Sequence, residues 1–216
     1  GSGEATRLLI EKMQKISPVP LLHAWQEDDG FRAAASRNNA LRLASGEYVV
    51  LIDGDMILDN DFIADHKKVA KKNQFIQGSR VLLDENATSQ VIFLKKFNFH
   101  FFSSNISNRL NSLHFPMLFV PKNNLKGIRT CNMGFWLQDA KKVNGFNEEF
   151  IGWGREDSEF AIRLLNFGIK RKNLKFGGIQ YHLWHNESSR NSLKENDDRL
   201  QESINENKTW CDKGLM

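Results

Sequence analysis

Residues 47 to 59 read EYVVLIDGDMILD, and the reading of this stretch decides the fold. An apolar, β-branched run from Tyr48 to Ile52 feeds into two aspartates one residue apart, Asp53 and Asp55. Such a near-continuous apolar run is the pattern of a strand in a parallel sheet. Asp-Gly is a turn dipeptide, and Asn60 is placed to cap a following helix. A plain turn is one reading of the two acids. A cation is the other, because two carboxylates on a tight turn are costly to ionise together without compensation. A hard divalent ion with oxygen ligands supplies it.

On either side of this stretch, helical and strand patterns alternate. EATRLLIEKMQKI (4–16) reads as an amphipathic helix ended by Ser17-Pro18. PLLHAW (20–25) is a strand candidate, and FRAAASRNNALRLASG (31–46) is helical with Gly46 as its C-cap. NDFIADHKKVAKK reads as a helix and FIQGSRVLL as a strand. Short connections between alternating β and α patterns make the first half α/β. From about residue 90 the chain is rich in Phe and Asn without a clear period, and the segment 91–127 is expected to be helical. Three uses fit it: helices packed over the sheet, a flexible lid, or a surface that meets lipid. CNMGFWLQ (131–138) reads as a strand and EDSEFAIRLLNFG as a helix closed by Gly168. LKFGGIQYHLWH (174–185) reads as a strand leading to a histidine pair, and a last helix is expected from about Asn191.

Composition bounds the function. The 216 residues are 40% hydrophobic and 26% charged, ordinary for a globular chain able to bury a core without staples. The net charge of +4 is too small to argue for nucleic acid, and suits an anionic substrate or an anionic membrane surface equally. Two cysteines, Cys131 and Cys211, make no disulfide framework, so a reducing compartment is the default. No stretch reads as a transmembrane helix.

Three separated clusters carry chemistry. The first is Asp53-Gly54-Asp55, at the strand end where open α/β sheets bind ligands. The second is NGFNEEFIGWGREDSEF (144–160), where glycines surround Trp153 and the acids Glu156, Asp157 and Glu159 follow. Acids in a first helical turn are favoured by the helix dipole, which is a sufficient structural reason for them. An aromatic face beside carboxylates is also a way to hold a sugar. The third is YHLWH, with His182 and His185 three apart. That spacing suits either structural histidines or metal ligands.

Together these residues resemble a nucleotide-sugar glycosyltransferase of the GT-A type, from the large inverting family typified by bacterial polysaccharide synthases. GFRAAASRNNALRLASGEYVVLIDGDM is similar to that family's donor-site block with its Asp-X-Asp motif. VNGFNEEFIGWGREDSEFAIRL is similar to the C-terminal block of the galactosyltransferase and chondroitin-polymerase branch, with its Gly-Trp-Gly-X-Glu-Asp signature. YHLWH falls where that branch places its last metal-binding histidine. The resemblance implies a single GT-A domain over 1–216, a Rossmann-like mixed sheet flanked by helices. Residues 4–90 would form the donor half, 91–186 the acceptor and catalytic half, and 187–216 a helical tail.

The resemblance also implies roles. Asp157, with Glu156 beside it, matches the catalytic base. Asp55 matches a metal ligand, and Asp53 a contact to ribose or to the metal's waters. His185 matches the second protein ligand and His182 a further one. Arg32 and Arg37 would contact uridine and diphosphate, and Trp153 the sugar. The implied cofactor is Mn²⁺ or Mg²⁺, and the implied donor a UDP-sugar. The acceptor would be a glycan or lipid-linked glycan of bacterial surface polysaccharide or lipopolysaccharide. Nucleic acid is not an expected partner. The expected location is cytoplasmic, with peripheral inner-membrane contact left open. The family begins with a further βα unit ending in Asp-Asp-Gly-Ser, of which only the tail is visible here. The expectation is therefore an N-terminally truncated chain lacking its first βαβ part. A catalytically silent sugar-nucleotide-binding remnant, and a metal-dependent hydrolase of nucleotide sugars, are the competing readings.

Overall fold

The computed structural model describes residues 2–115, 118–121 (backbone only), 124–186 and 190–216. Two compact units interleave along the chain: Gly1–Glu47, Ala140–Phe167 and Ser188–Met216 in one, Tyr48–Asp139 and Gly168–Glu187 in the other.

The second unit holds both sheets. A five-stranded sheet has the order β1 (Tyr48–Leu51), β7 (Met133–Trp136), β3 (Gln74–Gln77), β8 (Lys170–Lys175), β6 (Leu118–Pro121). Only β3 and β8 run parallel; the other neighbours are antiparallel. A four-stranded sheet has the order β2 (Met56–Leu58), β9 (Gln180–His182), β4 (Val81–Leu83), β5 (Ile106–Ser107), with β4 parallel to β9. Three strands of the first sheet continue after a short turn into the second: β1 into β2, β3 into β4, and β8 into β9. With α3 (Phe62–Val69) and α4 (Glu85–Leu94) in the same unit, this is a mixed α/β architecture of the GT-A, Rossmann-like class.

Burial explains the two sheets. Phe75, Ile76, Met133, Phe135 and Leu174 are buried from the first, while Val81, Leu83, Ile106, Ile179 and Tyr181 form the core of the second with Ala87 of α4. Gly134 allows a close crossing in β7: a Cβ there would stand 2.2 Å from Tyr48 Oη and 2.9 Å from His66 Nδ1. His66 is itself buried and shares a 2.9 Å hydrogen bond with Asn132 Oδ1.

The first unit is helical, with α1 (Glu4–Gln14), α2 (Ala33–Leu43), α6 (Glu156–Asn166) and α7 (Leu193–Asn205); the division between units falls within α5 (Leu137–Lys142). Its centre is polar. Fully buried Arg163 donates to both carboxylate oxygens of Glu159 (2.7 and 2.6 Å), to Gly145 O at 2.8 Å and to Val143 O. Ser203 of α7 adds a bond to the same carboxylate. A buried charge pair of this kind holds only if all its polar atoms are matched, and here the fork of Arg163 closes the turn before α6.

Several elements differ from expectation. PLLHAW has no strand pairing among the described residues, and Leu21, Leu22 and Trp25 are exposed. The cap after α2 is Ala44 rather than Gly46, because the chain turns extended at once (ψ 126°). The cap before α3 is Asp61 rather than Asn60, held by Asp59 Oδ1 through the Asp61 amide. The apolar run at β1 pairs antiparallel with β7 and is half-buried, so its pattern reflects an edge and not a buried parallel strand. FIQGSRVLL and LKFGGIQYHLWH are each broken across the two sheets. The segment 91–127 is not a helical block; residues 116, 117, 122 and 123 of it lie outside the described residues. Helix α4 stops at Leu94, where Lys95 turns left-handed (φ 53°), and Asn108 does the same (φ 57°). Asparagine and serine bond their own backbone and favour such turns over helix.

Candidate metal and sugar-nucleotide site

The turn that carries β1 into β2 holds Asp53, Gly54 and Asp55. Because β2 pairs antiparallel with β9, Met56 faces His182, and the Leu183 amide donates to Asp55 O at 3.0 Å. That register brings together residues that are far apart in sequence. Asp55 Oδ2 lies 3.3 Å from His182 Nε2 and 3.0 Å from His185 Nε2. One ligand atom from each of the three lies within 4.8 Å of the others.

The donor set fits a divalent cation. Asp55 Oδ1 is buried and has no hydrogen-bond partner among the described residues. His185 Nδ1 lies 2.7 Å from Asn186 O, and a carbonyl can only accept, so Nδ1 carries a proton and Nε2 is the ring atom turned to Asp55. Burial, and then the charge of Arg80, hold the His182 pKa below the ordinary histidine value, against the pull of Asp55. A neutral imidazole is the form that ligates metals. Nitrogen and oxygen atoms this close are compensated by a shared proton or by a cation among them. Carboxylate oxygen and imidazole nitrogen are donors that a divalent cation accepts.

Two basic residues at this site gave no signal in the sequence. Arg80 and Arg129 both act on His182 through their charge. Arg80 Nη1 approaches Cys131 Sγ at 3.9 Å, while its Nε is buried without a partner among the described residues. Each is a lone arginine in a loop, and only the fold brings its charge to bear on His182. Asp53 is half-buried in the same turn, and its charge reaches Cys131.

The other expected residues belong to the helical unit. Glu156 is buried and paired with Arg37 at 2.8 Å, and the Arg37 guanidinium sits 5.4 Å from the Phe146 ring. Asp157 makes no ion pair among the described residues. Its Oδ1 accepts from the Ser158 amide at 2.6 Å and from Ser158 Oγ at 3.2 Å. Burial first, and then the neighbouring Glu156 carboxylate, push the Asp157 pKa up to about 6, although Arg37 and Ser158 pull it down. Glu159, the third acid of the cluster, is committed to Arg163. Trp153 follows Gly152 (φ +77°) with the Arg190 guanidinium 5.2 Å from its ring centre. Arg32 stands at the N-cap position of α2, half-buried and paired with Asp29.

Residues 114–186 match the family model described as the N-terminal domain of galactosyltransferase. A chondroitin synthase of Pasteurella multocida is 28% identical over 207 residues, covering 84% of this chain and 20% of that protein. A hyaluronan synthase of the same species is 27% identical over 205 residues, 84% of this chain and 20% of that protein. A validoxylamine A glucosyltransferase of Streptomyces hygroscopicus is 24% identical over 192 residues, 78% of this chain and 43% of that protein. The chain thus spans less than half the length of these relatives. A further model, for glycosyl transferase family 2, matches residues 1–120 of the 216, more than half of the chain, and the protein belongs to that family.

Proposed function

We propose that this chain is a hexosyltransferase that moves a hexose or hexosamine from a UDP-sugar to a glycan acceptor, with inversion and with help from a divalent metal. The supporting relatives are named as synthases of sugar polymers and as a glucosyltransferase. The observation that carries the metal-dependent reading is the convergence of Asp55, His182 and His185 after the Asp-Gly-Asp turn. When bound there, Mn²⁺ or Mg²⁺ supplies positive charge to the departing diphosphate. Arg80 and Arg129 add fixed cationic charge near His182. Arg37 and Arg32 are the proposed contacts to uridine and diphosphate, Asp53 to the ribose, and Trp153 to the sugar ring.

Asp157 is the proposed base. Inversion needs one group to take the acceptor hydroxyl's proton as its oxygen attacks the anomeric carbon. A carboxylate raised to about 6 is still ionised at neutral pH and is more basic than an ordinary aspartate. Glu156, tied to Arg37, raises Asp157 by its charge and stays beside it as second candidate. The expected acceptor is a bacterial surface polysaccharide or lipopolysaccharide chain.

Calorimetric titration with UDP, with and without Mn²⁺, followed by a panel of UDP-sugars assayed for UDP release with and without glycan oligosaccharides, tests this reading. Metal-dependent UDP binding and acceptor-accelerated release are expected. UDP release that no acceptor accelerates would point to a hydrolase instead, and UDP binding indifferent to metal would remove the role given to Asp55 and the histidines.

A further inference from the structure

From Asn86 to Gln138 the chain contains no aspartate or glutamate, although 26 acids occur elsewhere in it. The same stretch carries six basic residues, Lys95, Lys96, Arg109, Lys122, Lys126 and Arg129, against a net charge of +4 for the whole chain. It also exposes large apolar side chains at the end of α4 and just beyond. Phe93 is 78% exposed, Leu94 59%, Phe97 41% and Phe102 81%. Lys95 and Lys96 sit among them and are exposed as well.

These residues are held to the second sheet rather than strung out on a free loop. The Phe97 ring meets the Tyr181 ring edge-on at 4.9 Å and that of Phe99 at 5.4 Å. Tyr181 Oη donates to Phe99 O at 3.3 Å. Thr88, one turn earlier in α4, accepts from the Trp184 amide at 2.8 Å. Both anchors flank His182, so the exposed face is fixed to the strand that supplies a metal ligand.

We propose that the end of α4 and the residues through Phe102 form a docking face for a bilayer bearing anionic headgroups. Exposed aromatic rings beside lysines, with no acid nearby in the sequence, match an interface that is apolar inside and negative at its rim. Phe93, Leu94, Phe97 and Phe102 would enter the headgroup boundary, and Lys95 and Lys96 would meet the phosphates. The charge selects this occupant over an apolar protein partner, because two lysines in the middle of a dry protein interface would be left unpaired. No helix of the described residues is long and apolar enough to cross a membrane, and the proposed contact is made by the exposed side chains of this face. It does not depend on the sugar-transfer reading, and its test uses no sugar.

The test is cosedimentation of the chain with vesicles of phosphatidylglycerol and phosphatidylcholine, against phosphatidylcholine alone, at low and high salt. Binding to the anionic vesicles that salt weakens is expected. Each lysine near an anionic surface is worth about a fivefold change in partitioning, so K95Q/K96Q together should weaken binding on the order of thirtyfold. F93S/F102S should weaken it about tenfold or more through lost burial. Unchanged thermal unfolding of the lysine variant guards against misfolding as the cause. Absence of binding, equal binding to both vesicle types, or full binding by K95Q/K96Q would overturn the proposal. So would self-association in solution that F93S/F102S abolishes while vesicle binding persists, since the face would then serve a second copy.

Discussion

Asp157→Asn should make this protein more stable at neutral pH, and the size of the effect follows from the surroundings of one carboxylate. Asp157 is raised from its ordinary 3.8 to about 6, first by burial and then by the Glu156 carboxylate. A folded-state pKa above the unfolded one means that ionising the group costs stability. The folded chain holds the proton more tightly between about pH 4 and 6, so its stability falls as pH rises through that window and stays lower above it. A shift of about two units corresponds to an upper limit of about 3 kcal/mol at pH 7.5. Asparagine keeps an acceptor for the Ser158 amide and hydroxyl, but puts an NH2 where the second carboxylate oxygen stood, so about half the limit is a fair expectation. For a chain of this length that is a rise of roughly 3–6 °C in Tm at pH 7.5. At pH 4 the wild-type carboxyl is largely protonated in the folded state, and the two proteins should melt nearly together. Circular dichroism melts at the two pH values check this. A variant no more stable than wild type at pH 7.5, or one stabilised equally at both, would refute burial as the origin of the shift. In an active preparation the same change should lower turnover by about a hundred- to ten-thousand-fold, the range for a lost general base.

Other consequences are as direct. Mn²⁺ should raise Tm, by about 2.7 kcal/mol of stabilisation at a hundredfold excess over Kd, with EDTA reversing it; Asp55→Asn and His185→Ala should each abolish the shift in a fluorescence melt. Arg80→Met should weaken UDP binding about tenfold or more by calorimetry, since a charge-assisted contact is worth about 1.5–3 kcal/mol. Mn²⁺ alone should bind the same variant at least as well, because a cationic neighbour of His182 has gone. Arg163→Met should destabilise by about 3–5 kcal/mol in urea unfolding, because Glu159 is left buried without its partner; the double change with Glu159→Gln should recover part of that loss.

What the sequence determined by itself was local. The apolar run before Asp53 had to be a strand, Gly54 between two acids had to be a turn, and the period of EDSEFAIRLLNFG had to be a helix closed at Gly168, which adopts φ +93°. The motifs also named the acids and histidines, because their order along the chain is itself the signature. Pairing was not legible. Nothing in EYVVLI says that β1 lies at a sheet edge beside an antiparallel neighbour, since half-burial at an edge and full burial in a parallel sheet draw on the same residues. FIQGSRVLL reads as one strand because short apolar runs, Phe75-Ile76 and Val81-Leu82-Leu83, stand on both sides of Gly78. In the fold, a Cβ at Gly78 would stand 2.3 Å from the Asn132 side chain, and the chain passes there from one sheet to the other. Only that crossing sets Arg80 beside His182, and only the β2–β9 register sets Asp55 against both histidines. Propensity and period are carried by neighbours in the chain, whereas a metal site is made by strands whose partners are chosen through burial shared across the whole unit.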